Sequence, residues 1–311
     1  MNAELNTDSR LEKILKSGQF AVTAECGPPR GADANVIREK CKLLKGNADA
    51  FNITDNQTSV VRMSSIASAV VMMQEGMEPI MQMVCRDRNR IAIQSDILGG
   101  AALGIKNMLC LSGDHQKFGD HPQAKNVFDI DSIQLISTVR RMRDEGKFLG
   151  GEEIKGVPKL FVGAAANPFA DPFEIRVPRL AKKVRAGVEF IQTQCIFNLQ
   201  KFGEWMKQVV DRGLHEKVYI LGGVTPFKSF GMARYMAKNV PGMDVPDDLL
   251  QRMKDTPKEK QAEEGIKIAV ETIQQLREMT GIAGVHIMAI EWEEKVHEIV
   301  SNAGLLPRPQ A

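Results

Sequence analysis

The sequence predicts an α/β fold, a (β/α)₈ TIM barrel made as a single domain. Three observations lead there: short Val/Ile/Phe-rich segments alternate with longer amphipathic ones, the unit recurs about eight times, and the chain has 311 residues. Strict strand and helix alternation implies a parallel sheet, because parallel strands need a crossover to return. Eight such units in this length suit a closed barrel better than an open doubly wound sheet. No Gly-x-Gly-x-x-Gly follows any candidate strand, which removes the main argument for a Rossmann domain.

The predicted strands are Phe20 to Cys26, Ala50 to Thr54, Pro79 to Cys85, Asn107 to Leu111, Lys159 to Ala164, Phe190 to Cys195, Val218 to Leu221 and Ala283 to Ile287. Gly104, Gly187 and Gly281 each stand directly before an apolar segment, where a left-handed residue closes a helix. Two long connections interrupt the pattern: Ser112 to Asp131, and Pro241 to Lys260 with a short helix expected near Asp247 to Lys254. The single domain is expected to span 1–311. It would have a polar lead at 1–17 and a Pro-containing tail at 305–311 that frays, since Leu306-Pro307-Arg308-Pro309 cannot continue a helix.

Composition excludes several classes. Lys plus Arg number 41 against 39 for Asp plus Glu, so a net charge of +2 gives no electrostatic case for nucleic acid or an anionic membrane. The most apolar window, Ile66 to Met73, is far short of the ~20 residues a bilayer crossing needs. Residues Met1 to Lys16 lack the apolar core of a secretory signal, so a cytoplasmic location is expected. Five widely spaced cysteines (Cys26, Cys41, Cys85, Cys110, Cys195) form no Cys-x-x-Cys pair, which argues against a disulfide framework and a structural zinc site.

A barrel places its chemistry at the carboxyl ends of the strands. Glu25 ends the first strand, an acid within an apolar run and beside Gly27-Pro28-Pro29. If desolvated, its pKa rises and it becomes a usable general acid near neutrality; the other reading is an ion pair with a neighbouring arginine. Asp114 follows the fourth strand, with Gly113 allowing close backbone approach; a plain Gly-Asp turn looks the same. Cys85-Arg86-Asp87-Arg88-Asn89-Arg90 gathers three cations at one turn, either as a clamp for phosphate or carboxylate or as a solvated, capped helix start. Gln194 is polar in a strand facing the interior, suited to an amide-bearing ligand or simply a satisfied interior glutamine. A Schiff-base aldolase is disfavoured because Lys106 and Lys159 sit at strand beginnings. A metal-dependent hydrolase is disfavoured because His115, His121, His215, His286 and His297 show no ligand spacing.

Taken together, the strand ends resemble the methylenetetrahydrofolate reductase family over about residues 18 to 309. The ordered motifs are Ala24-Glu25-Cys26-Gly27-Pro28-Pro29, Asn52-Ile53-Thr54-Asp55-Asn56, Leu111-Ser112-Gly113-Asp114, Lys182-Lys183-Val184-Arg185-Ala186-Gly187, Gln192-Thr193-Gln194, Gly223-Val224-Thr225-Pro226 and Gly284-Val285-His286. The Cys85 to Arg90 segment, Gly119-Asp120 and Asn126-Val127-Phe128-Asp129 further resemble the acetogen-type and bacterial catalytic-domain branch. The resemblance implies flavin-dependent reduction of 5,10-methylenetetrahydrofolate to 5-methyltetrahydrofolate in one-carbon metabolism, with hydride passing from NAD(P)H or a partner subunit through the flavin. It implies Glu25 as general acid, Asp114 beside flavin and pterin, Gln194 and Phe230 at the folate, and Thr54 and Lys183 on the flavin side.

Some positions depart from the family. Ser112 stands where many members have Arg, Gln82 where many have His, Asn167 where many have Tyr, and Arg176 where an acid is common. Gln82, Asn167 and Gly113 would then line the cofactor, with Arg86 or Arg88 on its phosphate; FAD is the family default and FMN the alternative. The resemblance also implies a zinc or iron–sulfur partner subunit, an oligomer, no metal in this chain and no C-terminal regulatory domain of the eukaryotic kind. The competing functions are a flavin-bearing electron-transfer subunit and a flavin-free pterin-binding barrel methyltransferase.

Overall fold

The structure is a computed structural model, and it describes residues 5–240 and 242–310. Residues 1–4 of the expected lead, Pro241 of the second long connection and Ala311 of the tail lie outside the described residues. Eight parallel strands close in sequence order: β1 Ala21–Cys26, β2 Ala50–Ile53, β3 Pro79–Val84, β4 Asn107–Leu111, β5 Phe161–Ala166, β6 Phe190–Cys195, β7 Tyr219–Val224 and β8 Ile282–Ile287. β8 returns to β1 with Thr23 opposite His286, which completes the ring. The fold is therefore the expected (β/α)₈ barrel.

The helices are α1 Arg10–Lys16, α2 Asn35–Leu44, α3 Ser65–Gln74, α4 Arg90–Ala102, α5 Ser132–Arg140, α6 Arg176–Ala186, α7 Leu199–Asp211, α8 Phe230–Asn239, α9 Asp247–Asp255, α10 Gln261–Glu278 and α11 Val296–Asn302. Gly104, Gly187 and Gly281 all take positive φ, between 88° and 98°, and turn the chain into the next strand as the sequence predicts. The expected short helix near Asp247 is α9. No helix among the described residues is long and apolar enough to cross a membrane.

Inside the ring, side chains alternate in and out along each strand, so every second residue faces the barrel axis. The lowest inward layer is apolar: Ala21, Ala50, Ile80, Leu109, Phe161, Phe190 and Leu221 pack together. Phe161 and Phe190 stack with centroids 5.1 Å apart, and Gly163 leaves the room for the Phe190 ring, which a Cβ there would meet at 2.2 Å. The next inward residues are polar, Thr23, Asn52, Gln192 and His286, all buried. The barrel thus changes from oil to hydrogen bonds along its axis.

One sequence expectation is corrected at the closed end, and the polar lead gains a structural role there. Within the polar lead, α1 plugs the barrel bottom with Leu11, Ile14 and Leu15, all buried against the lowest layer. Ser9 caps this helix, and the Glu12 carboxylate accepts from the backbone of Asn6 and Thr7 at 2.7 Å each. The few apolar residues in this segment fall at helical spacing, which its overall polarity conceals. The tail is likewise docked rather than frayed. Arg308 is buried and donates to Asp49 Oδ2 at 2.6 Å, to Phe20 O at 2.8 Å and to Leu305 O at 2.8 Å. Asp49 in turn accepts from the Val22 backbone at 2.8 Å.

Removing one partner of such a pair strands the other without solvent. Replacing Arg308 with Ala should lower unfolding stability by about 3 kcal/mol, read as a shift of the urea midpoint with unchanged slope; a change within experimental error would show that the tail is not docked in solution.

Candidate active site

A cavity of about 420 Å³ opens at the carboxyl ends of the strands, and every strand but β7 contributes to its wall. Glu25, Thr54, Gln82, Arg86, Gly113, Asp114, Asn167, Lys183 and Gln194, all expected from the sequence, line this one space. Arg88 and Phe230 do not. Phe230 opens α8, donates its backbone N–H to Gln261 Oε1 at 2.9 Å and packs beside the Phe197 and Phe227 cluster instead.

The cavity floor is the polar inward layer. Asn52 and Gln192 exchange two amide hydrogen bonds at 2.6 and 3.0 Å across the barrel, and Gln192 Nε2 also donates to Thr23 Oγ1 at 3.1 Å. Thr23 Oγ1 lies 3.0 Å from His286 Nδ1. Burial pushes the His286 imidazole down to about 3, so near neutrality it is an uncharged member of the floor. Sequence reasoning passed over Asn52, Thr23 and Gln192 as site residues. The signal was there: Thr23/Glu25, Asn52/Thr54 and Gln192/Gln194 are polar pairs at spacing two in apolar strands.

Above the floor, Glu25 stands at the end of β1. Its carboxyl is pushed up to about 7, chiefly by burial and then by the neighbouring Glu293, against the opposing pull of Lys40, Arg62 and a hydrogen bond with Gln57. Asp114 is exposed on the rim after β4, and among the described residues no cation pairs with its carboxylate. Its carbonyl is held by Ser59 Oγ at 3.0 Å and by Arg86 Nη1 at 3.1 Å. Gly113 before it takes φ +91°, and a Cβ there would sit 3.0 Å from that of Val84.

Of the two readings of the Cys85 to Arg90 segment, the contacts within the protein favour the capped helix start. All five N–H groups of Arg86 are engaged within the protein, by Asp87, Ser59, the Asp114 carbonyl and the Asn56 carbonyl at 2.7 to 3.2 Å. Arg88 binds Asp55 at 2.7 and 3.2 Å and Asp96 at 2.8 Å, and Arg90 binds Asp129. Each guanidinium found a carboxylate from its own neighbourhood, which a count of cations in the sequence cannot show. Asn89 caps α4 through the Ile91 and Ala92 backbones, so the capped helix start describes this turn.

The free cations lie elsewhere. Arg176, Arg179 and Lys183 occupy one face of α6 at spacings of three and four and line the same cavity as Glu25 and Asp114. Among the described residues none of the three pairs with a carboxylate; Arg176 donates to the Asp171 and Pro172 carbonyls and Lys183 to that of Ala165. Burial and then the charge of Arg179 push Lys183 down to about 8. The Thr54 hydroxyl oxygen, also on the wall, is buried without a hydrogen-bond partner. An unpaired cationic helix face and an unsatisfied hydroxyl in one cavity fit an anionic, hydrogen-bonding ligand such as a flavin phosphate with its attached ring system. No group of three or more His, Cys, Asp or Glu side chains able to hold a metal occurs among the described residues.

Comparison with known proteins supplies the family. The model for methylenetetrahydrofolate reductase matches residues 10–304. The chain belongs to that family. A probable methylenetetrahydrofolate reductase (NADPH) of Caenorhabditis elegans is 20% identical over 95% of this chain and 44% of its own length. Methylenetetrahydrofolate reductase 2 of Schizosaccharomyces pombe is 24% identical over 73% of this chain and 36% of its own. The chain thus spans about two-fifths of the length of these curated relatives. A Clostridium thermocellum protein that binds two copies of 5-methyl-5,6,7,8-tetrahydrofolic acid shares the fold, with a TM-score of 0.64 at 12% identity over 95% of this chain and 98% of that one.

Because Glu25 is pushed up from an ordinary 4.5, the folded protein holds its proton more tightly than the unfolded chain does. The associated stability is present below about pH 4.5 and is lost as pH rises through about 7. Glu25→Gln should therefore be more stable than the parent by about 1–3 kcal/mol at pH 8 and about equal near pH 4.5. Urea unfolding of both proteins at the two pH values checks this, and a gap independent of pH contradicts it.

Proposed function

We propose that this family member reduces 5,10-methylenetetrahydrofolate to 5-methyltetrahydrofolate in the cavity at the top of the barrel, with a bound flavin and a nicotinamide nucleotide as electron source. The observation that carries the reading is Glu25, an acid that burial pushes up to about 7 so that a large share still holds its proton near neutrality, on the same cavity as Asp114. The flavin, when bound, would supply the hydride, and the protein supplies everything else. Arg179 and Lys183, with Arg176, would hold its phosphate, and the Thr54 hydroxyl would receive one of its polar atoms.

Glu25 donates its proton to the nitrogen that leaves as the five-membered ring of the folate opens. The C–N bond pair stays with that nitrogen, and the carbon left on N5 becomes an electrophilic iminium. Protonation of the leaving nitrogen is what makes this ring opening accessible at neutral pH, a general-acid contribution of about 10²–10⁴ in rate. The Gln194 amide offers a donor and an acceptor at once to the pterin edge, and the Asp114 carboxylate accepts from its N–H groups. With one cavity serving both substrates, donor and folate enter in turn. The Asn52–Gln192 floor keeps the base of the site fixed while they exchange.

Anaerobic stopped-flow measurement of the two half-reactions tests the assignment. Glu25→Gln should leave flavin reduction by the nucleotide within about threefold of the parent while folate reduction falls at least about 10²-fold; equal loss in both removes Glu25 from the role. In the parent, folate reduction should decline as pH rises through about 7, because the acid is then ionised. A second test concerns retention of the cofactor. The double replacement of Arg179 and Lys183 by Ala should weaken flavin binding at least about tenfold, seen as lost yellow absorbance after gel filtration, whereas Arg88→Ala should keep it. The reverse order would return the phosphate to the Cys85 to Arg90 turn.

A further inference from the structure

Glu25 borders two cavities. Besides the large one it lines a small space of about 50 Å³, together with Lys40, Arg62, Glu291 and Glu293. That volume has room for a few water molecules at most. Glu293 is buried, on the turn Glu293–Lys295 that follows β8 and leads into α11. Lys40 reaches it from α2, with Nζ 2.5 Å from Glu293 Oε1 and 3.1 Å from the carbonyl of Gly27, two residues beyond Glu25. One lysine thus ties the backbone that carries the acid to the segment carrying a second acid. Arg62 closes the same space from the loop after β2 and donates to the Pro28 carbonyl at 3.0 Å.

We propose that the Lys40–Glu293 pair is the positioning element of Glu25, holding its strand end in place and setting its proton occupancy through two opposed charges. The proposal rests on the reading of Glu25 as the proton donor. A partly buried ion pair pays a desolvation cost that an apolar contact between the same helix and turn would avoid, so packing alone gives it no reason to be there. Its two members act on Glu25 in opposite senses: the Glu293 carboxylate disfavours a second negative charge nearby, and the Lys40 ammonium favours it. The remaining groups around the acid sort by charge. Arg62 acts with Lys40, and Glu291 is exposed on the outer edge of the small cavity. From the strands, Cys26 and Cys195 are thiols pushed up to about 12 and about 11 by burial, and His286 is neutral, so none of the three carries charge near pH 7.

The test uses the full chain with Glu293→Gln, Lys40→Met and the double variant. The protonated Glu25 carboxyl is read by its infrared C=O band, isolated by difference against Glu25→Gln, across pH. The same series is followed by the pH limb of the folate half-reaction. Glu293→Gln should shift both to lower pH and Lys40→Met to higher pH, each by about 0.5–1 unit, with the double variant near the parent and Lys40→Arg unshifted. A role in packing alone would move both singles the same way or neither, and either result overturns the proposal. Opposed infrared shifts without a pH limb in folate reduction would uphold the pair's control of Glu25 while removing the donor role. Loss of folate reduction in Glu25→Gln with unmoved infrared titrations would keep the donor role and remove the pair.

Discussion

Ring closure is the constraint on which the rest of this molecule depends. Once eight strands meet edge to edge, every second side chain is committed to the interior and cannot reach bulk water sideways. At the lower end that commitment is met by an apolar plug from α1 and a stacked Phe161–Phe190 pair. Further up, Thr23, Asn52 and Gln192 satisfy one another across the axis. At the top the partners run out, and Thr54 keeps an unused oxygen while Glu25 keeps its proton. Reactivity here is the unfinished end of a packing problem.

Charges of both signs meet around that end. Acids stand over β1 and β4, and unpaired cations stand on the α6 face. Basic residues elsewhere near the mouth are consumed by carboxylates of neighbouring segments, as with Arg88 and Asp55. The arrangement suits a ligand that carries an anionic group and also exchanges protons. It also explains how a chain with nearly balanced overall charge can carry a strongly polarised pocket.

Much of this was legible in the sequence. The alternation of segments predicts the barrel, and Phe190–Cys195 and Asn107–Leu111 coincide with their predicted bounds. Glu25 could be singled out because an acid in an apolar strand has few ways to be satisfied. What was illegible depended on contacts between distant segments. The Cys85 to Arg90 turn looks like an anion clamp until Asp55, Asp96 and Asp129 arrive from other parts of the chain. Conversely, α1 and Arg308 look solvated until the barrel bottom and Asp49 are beside them. Phe230, placed at the folate by resemblance alone, sits in a neighbouring apolar cluster.

Arg86 carries a consequence for how variants of this protein are interpreted. Its guanidinium knots together three separate rim segments: the Asn56–Ser59 stretch, where Asn56, Thr58 and Ser59 all adopt left-handed backbone, its own neighbour Asp87, and the carbonyl of Asp114. Such a rim behaves as one rigid collar, and cutting the knot frees an acidic lip and a strained bend at the same time. Damage at this arginine would imitate the loss of a direct ligand contact while its real origin is mechanical slack in the mouth of the barrel.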